Sequence, residues 1–206
     1  MILIGDIHGK FDELRKICSI NPDKLHIGIG DIGLGFGPKI PELPQNFKFF
    51  RGNHDKPSVC KNHPQSLGDW GNITPDIFFV AGADSIDKKW RTEGVNWWHD
   101  EELSDEDLQK AMDAYLLAKP RILLSHEAPF SICELLKAAN EFKHGEKDPY
   151  GFGPVRGTRT AFKLNEMLRQ HLPEYVIFGH WHVNLQIKPR NNATFICLDE
   201  LNTLEI

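Results

Sequence analysis

"FKFFRGNHD", Phe47–Asp55, begins as an apolar run and ends in a turn of glycine, amide, imidazole and carboxylate. The run predicts a short buried strand, and its tail sets oxygen and nitrogen donors just beyond the strand end. The same pattern recurs along the chain. "ILI" (2–4) runs into Gly5-Asp6-Ile7-His8, "LHIGI" (25–29) into Gly30-Asp31, and "RILLSH" (121–126) ends at Ser125-His126. "YVIFGH" (175–180) opens the turn Gly179-His180-Trp181-His182. Open α/β sheets bind ligands beyond their strand ends, so donors far apart in sequence can meet at one site.

The intervening segments read as helices, further strands and loops. "FDELRKIC" (11–18) sets Phe11, Leu14, Ile17 and Cys18 at helical spacing. Ser104 with Asp107 resembles a capping box ahead of the stripe Leu108, Met112, Tyr115 and Leu116, and Pro120 closes that helix. Thr160–His171 predicts another amphipathic helix. "IFFVAG" (77–82) predicts a strand, and "LQIK" and "ATFICLD" predict a hairpin across "PRNN". The Pro/Gly-rich stretches 36–46 and 144–158 read as loops, and "DEELSDED" (100–107) as a solvated acidic helix start. Trp97 and Trp98 read as packing residues and His99 as a surface residue. The expectation is one domain, 1–206, of mixed strand and helix.

With 206 residues, a net charge of -5 and a pI near 6.0, the chain lacks the basic excess of a general nucleic-acid binder. Residues 137–169 hold seven Lys or Arg against four Asp or Glu, too mild an excess to be a nucleic-acid footprint. No apolar run approaches the ~20 residues of a membrane span. "MILIGD" has neither the basic start nor the apolar length of a secretory signal, so a cytoplasmic protein is expected. The four cysteines, Cys18, Cys60, Cys133 and Cys197, are scattered and read as free thiols.

Each strand-end motif alone has an ordinary explanation. Aspartate there is a common turn former, and an isolated histidine is more often structural than a ligand. Together, Asp6, Asp31, Asn53, His8, His126, His180 and His182 offer two carboxylates, one amide oxygen and four imidazoles. Seven donors exceed one tetrahedral centre and suit two divalent ions sharing a carboxylate. Nitrogen and oxygen without thiolate favour Mn, Fe, Co, Ni or Zn over Ca.

The ordered series D-x-H, GD, GNHD, a lone strand-end His and GH-x-H resembles the calcineurin-like metallophosphoesterase superfamily, from Asp6 to His182. The resemblance implies an α/β fold, a two-sheet β-sandwich flanked by α-helices. It implies two divalent transition-metal ions, manganese first, with Fe, Zn, Ni or Co as alternatives. Asp6, His8 and His182 would hold one ion, Asn53, His126 and His180 the other, and Asp31 would bridge them. Hydroxide bridging the ions would attack a phosphate ester, and His54 would protonate the leaving oxygen or hydrogen-bond the phosphoryl group. Asp55 would orient His54 or form the turn, and Trp181 would point away from the ions and pack.

The pattern departs from the protein-phosphatase branch, which carries GD-x-x-DRG. "GDIGLG" has Leu34 and Gly35 where the Asp-Arg pair would stand, so that pair's roles, orienting the histidine and gripping phosphate, do not transfer. The substrate is expected to be a phosphate ester, monoester or diester, with a nucleotide or nucleic acid among the candidates. Arg51 could grip phosphate or form a strand-end salt bridge. Arg156 and Arg159 could close over substrate or belong to a solvated connection. The alternative to an enzyme is a protein-binding scaffold that keeps this fold without catalysis.

Overall fold

The computed structural model describes residues 1–37, 39–149, 153–189 and 193–206. Two sheets face each other. The smaller has the order β10-β1-β2-β3, built from β1 (Ile2–Ile4), β2 (His26–Ile29), β3 (Phe47–Phe50) and β10 (Thr203–Glu205). The larger has the order β4-β5-β6-β7-β9-β8. Its strands are β4 (Trp70–Thr74), β5 (Ile77–Val80), β6 (Ile122–Ser125), β7 (Tyr175–Phe178), β8 (Leu185–Ile187) and β9 (Thr194–Cys197). Neighbours β1, β2 and β3 run parallel, as do β5, β6, β7 and β9, while β4, β8 and β10 are antiparallel edges.

The apolar runs are continuous because the inner strands are covered on both faces. With a side-chain period of two, Leu3, Ile27, Ile29 and Phe50 point between the sheets to meet Phe79, Leu124, Ile177 and Ile196. The alternate residues Ile4, Phe47 and Phe49 face outward onto Leu14 and Cys18 of helix α1 (Phe11–Ile20) and Cys60 of the short α2 (Pro57–Cys60). On the other side, Phe78, Leu123, Val176 and Phe195 pack under α3 (Asp105–Ala118), α4 (Cys133–His144) and α5 (Arg159–Gln170). The result is a mixed α/β fold of two sheets flanked by helices.

Local sequence sets the helix ends. Ser104 Oγ accepts from Asp107 N at 3.1 Å, and α3 stops at Lys119, which turns left-handed just before Pro120. Thr158 caps α5 in the same way, accepting from Ala161 N at 3.0 Å. The hairpin of β8 and β9 forms with Leu185 opposite Cys197; residues 190–192 of its turn, like 38 and 150–152 of the two long loops, lie outside the described residues.

One reading is corrected. "DEELSDED" is not uniformly solvated, because Glu101 and Glu102 are buried. Glu101 accepts from Ser85 N and from Ser85 Oγ at 2.9 Å. Glu102 accepts from Thr160 N at 2.9 Å and Thr160 Oγ1 at 3.0 Å, and pairs with Arg159. Two acidic residues beside a helix start look solvated in sequence; here they tie distant loops to it. All four cysteines are free and buried, and among the described residues no helix is long and apolar enough to cross a membrane.

Leu124 has no exposed surface between the sheets, whereas Leu117 on α3 is 88% exposed. Leu124→Ala is expected to lower unfolding stability by roughly 2–5 kcal/mol, while Leu117→Ala should stay within about 0.5 kcal/mol, both read from urea unfolding.

Candidate metal centre

Five parallel strands, β1, β2, β3, β6 and β7, deliver their C-terminal turns to one edge of the sandwich. There Asp6, His8, Asp31 and His182 form one cluster, and Asp31, His126 and His180 a second; within each, the ligand atoms lie within 4.8 Å of one another. Asp31 belongs to both. Asn53 joins the second cluster, its Oδ1 lying 3.1 Å from His126 Nε2.

Distances within the clusters are short. His8 Nε2 and His182 Nε2 are 3.2 Å apart, and His182 Nε2 is 3.3 Å from Asp6 Oδ2. His126 Nε2 is 3.1 Å from Asp31 Oδ1, while its Nδ1 lies 2.9 Å from the carbonyl oxygen of Ile29. The carbonyl accepts from Nδ1–H, so Nε2 is the atom turned to Asn53 and Asp31. Such a carbonyl brace is how proteins aim an imidazole at a metal. Asn53 is aimed as well: its Nδ2 donates to Ser85 Oγ at 3.1 Å, and Ser85 in turn donates to buried Glu101.

The backbone is bent to make this convergence. Seven non-glycine residues among those described have positive φ, and His8, Asp31, His180 and His182 are four of them, at 47°, 48°, 67° and 50°. Left-handed backbone costs an ordinary residue on the order of 1 kcal/mol or more, and it concentrates where function demands a direction. Gly52 is needed for space: a Cβ there would overlap Asp31 Oδ1 and His126 Nε2.

The electrostatics call for positive charge. Burial pushes the Asp6 carboxyl up to about 7, with His126 opposing and Asp31 adding to the shift. At Asp31 burial also pushes upward, but the charge and hydrogen bond of His126, then His54 and His8, hold it well below the usual carboxylate range. Burial disfavours the charged form of His126, yet Asp31 and Asp6 raise it to about 10. Burial and neighbouring His126 push His180 down to about 3. Two carboxylates therefore draw charge onto the imidazole at their centre, where divalent cations would satisfy both oxygen and nitrogen donors. The donor set fits a pair of such ions.

His54 stands beside the clusters. Its backbone N donates to Asp31 Oδ1 at 2.7 Å, and its ring lies edge-on to His8 at 4.9 Å. Burial pushes it down to about 4 against the attraction of Asp31, with Arg91 and His8 repelling added charge. Phe36 stacks on the His54 ring, centroids 6.2 Å apart. Asp55 is not its orienting partner but a turn former. Its carboxylate accepts from Ile32 N, Gly33 N, Leu34 N and Gly52 N at 2.9–3.1 Å, joining the turns after β2 and β3.

The remaining sequence candidates separate clearly. Arg51 is buried, donates from Nε to Asp69 Oδ1 at 2.8 Å and from Nη1 to the Glu101 carbonyl, so it is a strand-end brace. His99 is exposed beside Glu93, and Arg159 pairs with Glu102. Arg156 is exposed and lines a cleft of about 540 Å³ that opens onto Asp31, Asn53, His54, His180 and His182. Trp181 packs as expected but also lines that cleft, its Nε1 3.4 Å from Glu127 Oε1. Sequence reasoning missed Ser85, Glu101, Glu127 and Arg91. Arg91 Nη2 lies 2.7 Å from His54 Nε2. No local motif announces any of them.

A profile of the calcineurin-like phosphoesterase family matches residues 1–184. No curated protein matches the chain by sequence. Among solved structures, the chain is similar to the protein TT1561 of Thermus thermophilus, at 14% identity and TM-score 0.50, covering 97% of this chain and 89% of that one. It is also similar to GAP50, the anchor in the inner membrane complex of Plasmodium, at 10% identity and TM-score 0.52, covering 97% and 71%. At these identities the likeness is one of fold.

Asp55→Ala would strip four N–H groups, three of them buried, of their acceptor. A stability loss of roughly 3–5 kcal/mol is expected in urea unfolding, and one below about 1 kcal/mol would contradict the bracing role. Gly52→Ala is expected to leave a folded protein that no longer retains metal through gel filtration, measured by elemental analysis.

Proposed function

Because the chain belongs to the calcineurin-like phosphoesterase family, we propose that it is a phosphoester hydrolase working with two divalent cations. The observation that carries this reading is the position of Asp31, whose carboxylate is common to both donor clusters. Asp6, His8 and His182 would hold one cation, and Asn53, His126 and His180 the other, with Asp31 between them. When bound, the cations supply Lewis acidity, lowering the pKa of water to give a nucleophile near neutral pH and neutralising phosphoryl charge. Manganese is our first choice for a donor set of nitrogen and oxygen without thiolate, with Fe, Zn, Ni or Co next.

The chain's own groups do the rest. Glu101 and Ser85 hold the Asn53 amide so that its oxygen faces the second cluster. The Ile29 carbonyl fixes the ring of His126. His54, held to Asp31 through its backbone, presents a polar ring edge beside the first cluster, where a leaving oxygen or a phosphoryl oxygen needs a hydrogen bond. Walls from Trp181 and Val155 exclude part of the solvent, which strengthens such interactions.

The cleft is larger than a phosphate group, so the substrate is read as a phosphate ester with a substantial organic part. Nucleotides are candidates, whether as monoester or diester. The protein-phosphatase reading is disfavoured: Leu34 is buried, and its N–H is taken by Asp55. A scaffold without catalysis is disfavoured too, because every donor of the two clusters and His54 is in place.

Chelation should abolish hydrolysis of aryl phosphate monoesters and diesters, and Mn²⁺ should restore it. Asp31→Asn and His126→Ala should each lower the rate on the order of a thousand-fold. Elemental analysis should find about two ions per chain. Full turnover in metal-stripped protein would overturn the reading, as would failure to bind any ion. Relative rates on the monoester and diester assign the substrate class.

A further inference from the structure

Arg91 comes from the segment after β5, some forty residues beyond the "RGNHD" turn, yet it touches the site directly. Its guanidinium is held on three sides. Nε pairs with Asp87 Oδ1 at 2.6 Å, Nη1 donates to the Asn96 carbonyl at 3.1 Å, and Nη2 reaches His54 Nε2 at 2.7 Å. The side chain is only 12% exposed, and what remains open faces the cleft above Asp31 and His54. Guanidinium has no acceptor, so Nη2–H donates and His54 Nε2 accepts.

No other described cation is placed this way. Arg51 is consumed by Asp69 and the Glu101 carbonyl. Lys88 pairs with Asp84, Lys137 with Glu141, and Lys89 lies over the Trp90 ring. Lys143 is bound to Asp199 and the His182 carbonyl. Arg156 lines the cleft, but among the described residues it is exposed and makes no hydrogen bond or ion pair to a candidate ligand or to His54. The turn after β2 offers only Gly33, Leu34 and Gly35 where a cation could have come from its own loop. A phosphoryl group seated on the two clusters would expose peripheral oxygens toward His54, and a braced guanidinium is the donor best matched to them.

We infer that Arg91 is a substrate-binding residue that donates from Nη2 to a phosphoryl oxygen, with Asp87 and the Asn96 carbonyl as its positioning brace. In the free protein His54 Nε2 holds the place of that oxygen. Phosphate, carrying full charge, displaces the neutral imidazole as acceptor, so the guanidinium needs little reorientation. This inference rests on the proposed seating of a phosphoryl group at the clusters.

The test uses the full chain loaded with Mn²⁺, with inorganic phosphate as the probe in titration calorimetry. Arg91→Ala is expected to weaken phosphate binding roughly ten- to a hundred-fold, Arg91→Lys less, and Asp87→Asn by an intermediate amount, with metal content unchanged. Millimolar guanidinium should restore part of the affinity of Arg91→Ala and none of that of Arg91→Lys, a rescue that a merely structural role would not give. On any ester that the wild type turns over, KM should rise with the same ordering. Equal phosphate affinity in wild type and Arg91→Ala overturns the inference while leaving the hydrolase reading standing. Loss of metal in Arg91→Ala also overturns it, because Arg91 would then support the centre itself. Phosphate binding that depends on Arg91 in a protein that hydrolyses no ester supports the inference and overturns the hydrolase reading.

Discussion

Two carboxylates, Asp6 and Asp31, lie entirely inside the protein, and the site is organised around the cost of putting them there. An unpaired buried carboxylate is strongly destabilising, so each must be met by donors or by charge. Asp6 receives the backbone N–H of His180, and Asp31 that of His54. Neither is thereby saturated. Their remaining lone pairs face imidazole nitrogens, and the charge drawn onto His126 is the main internal compensation near both. Asp55 shows the contrasting solution. It is equally buried, but four backbone N–H groups fill its four acceptor positions, leaving nothing for a ligand. The same residue type at a neighbouring turn thus serves as scaffold in one case and as candidate ligand in the other, and counting used lone pairs separates them.

Much of this was legible because the ligand-bearing turns follow buried parallel strands. A strand covered on both faces must be a continuous apolar run, and the run's end marks where donors can gather. Hence β1, β2, β3, β6 and β7 and their seven donors could be located in sequence, along with the capped α3 and the amphipathic α5. The edge strands β4 and β10 and helix α4 were not read. β4 is half-exposed, interrupted by Gly71, and bulged between Asn72 and Thr74, so it lacks both continuity and clean alternation. Helix α4 has no side-chain cap at its start, Ile132, and only its end is marked, by the left-handed Gly145.

The residues around the donors were hidden for a different reason. Glu101 reaches Ser85 and thence Asn53 across three separate segments, and Arg91 meets His54 only because the chain after β5 folds back over the turn after β3. Nothing in the local spacing encodes such a return. Burial misled as well, since the acidic run at 100–107 carries two glutamates whose partners, Ser85 and Thr160, are supplied by tertiary structure alone.

Rigid and variable parts of the site are therefore built differently. The candidate ligands are fixed by strand ends, by left-handed backbone at four of them, and by glycines whose missing Cβ atoms make the close approach feasible. That geometry is unforgiving, because an error of an ångström at one donor disturbs every neighbour packed against it. Much of the cleft wall comes instead from connections between elements, residues 84–89 and 91, 148–149 and 153–158. Apart from Ser85, which holds Asn53, side chains on such segments touch the donor clusters little, so selectivity for what lies beyond the phosphoryl group is expected to reside there. Arg91 sits where the two regimes meet: it is supplied by a connection, yet held by Asp87 and Asn96 as firmly as a strand-end residue.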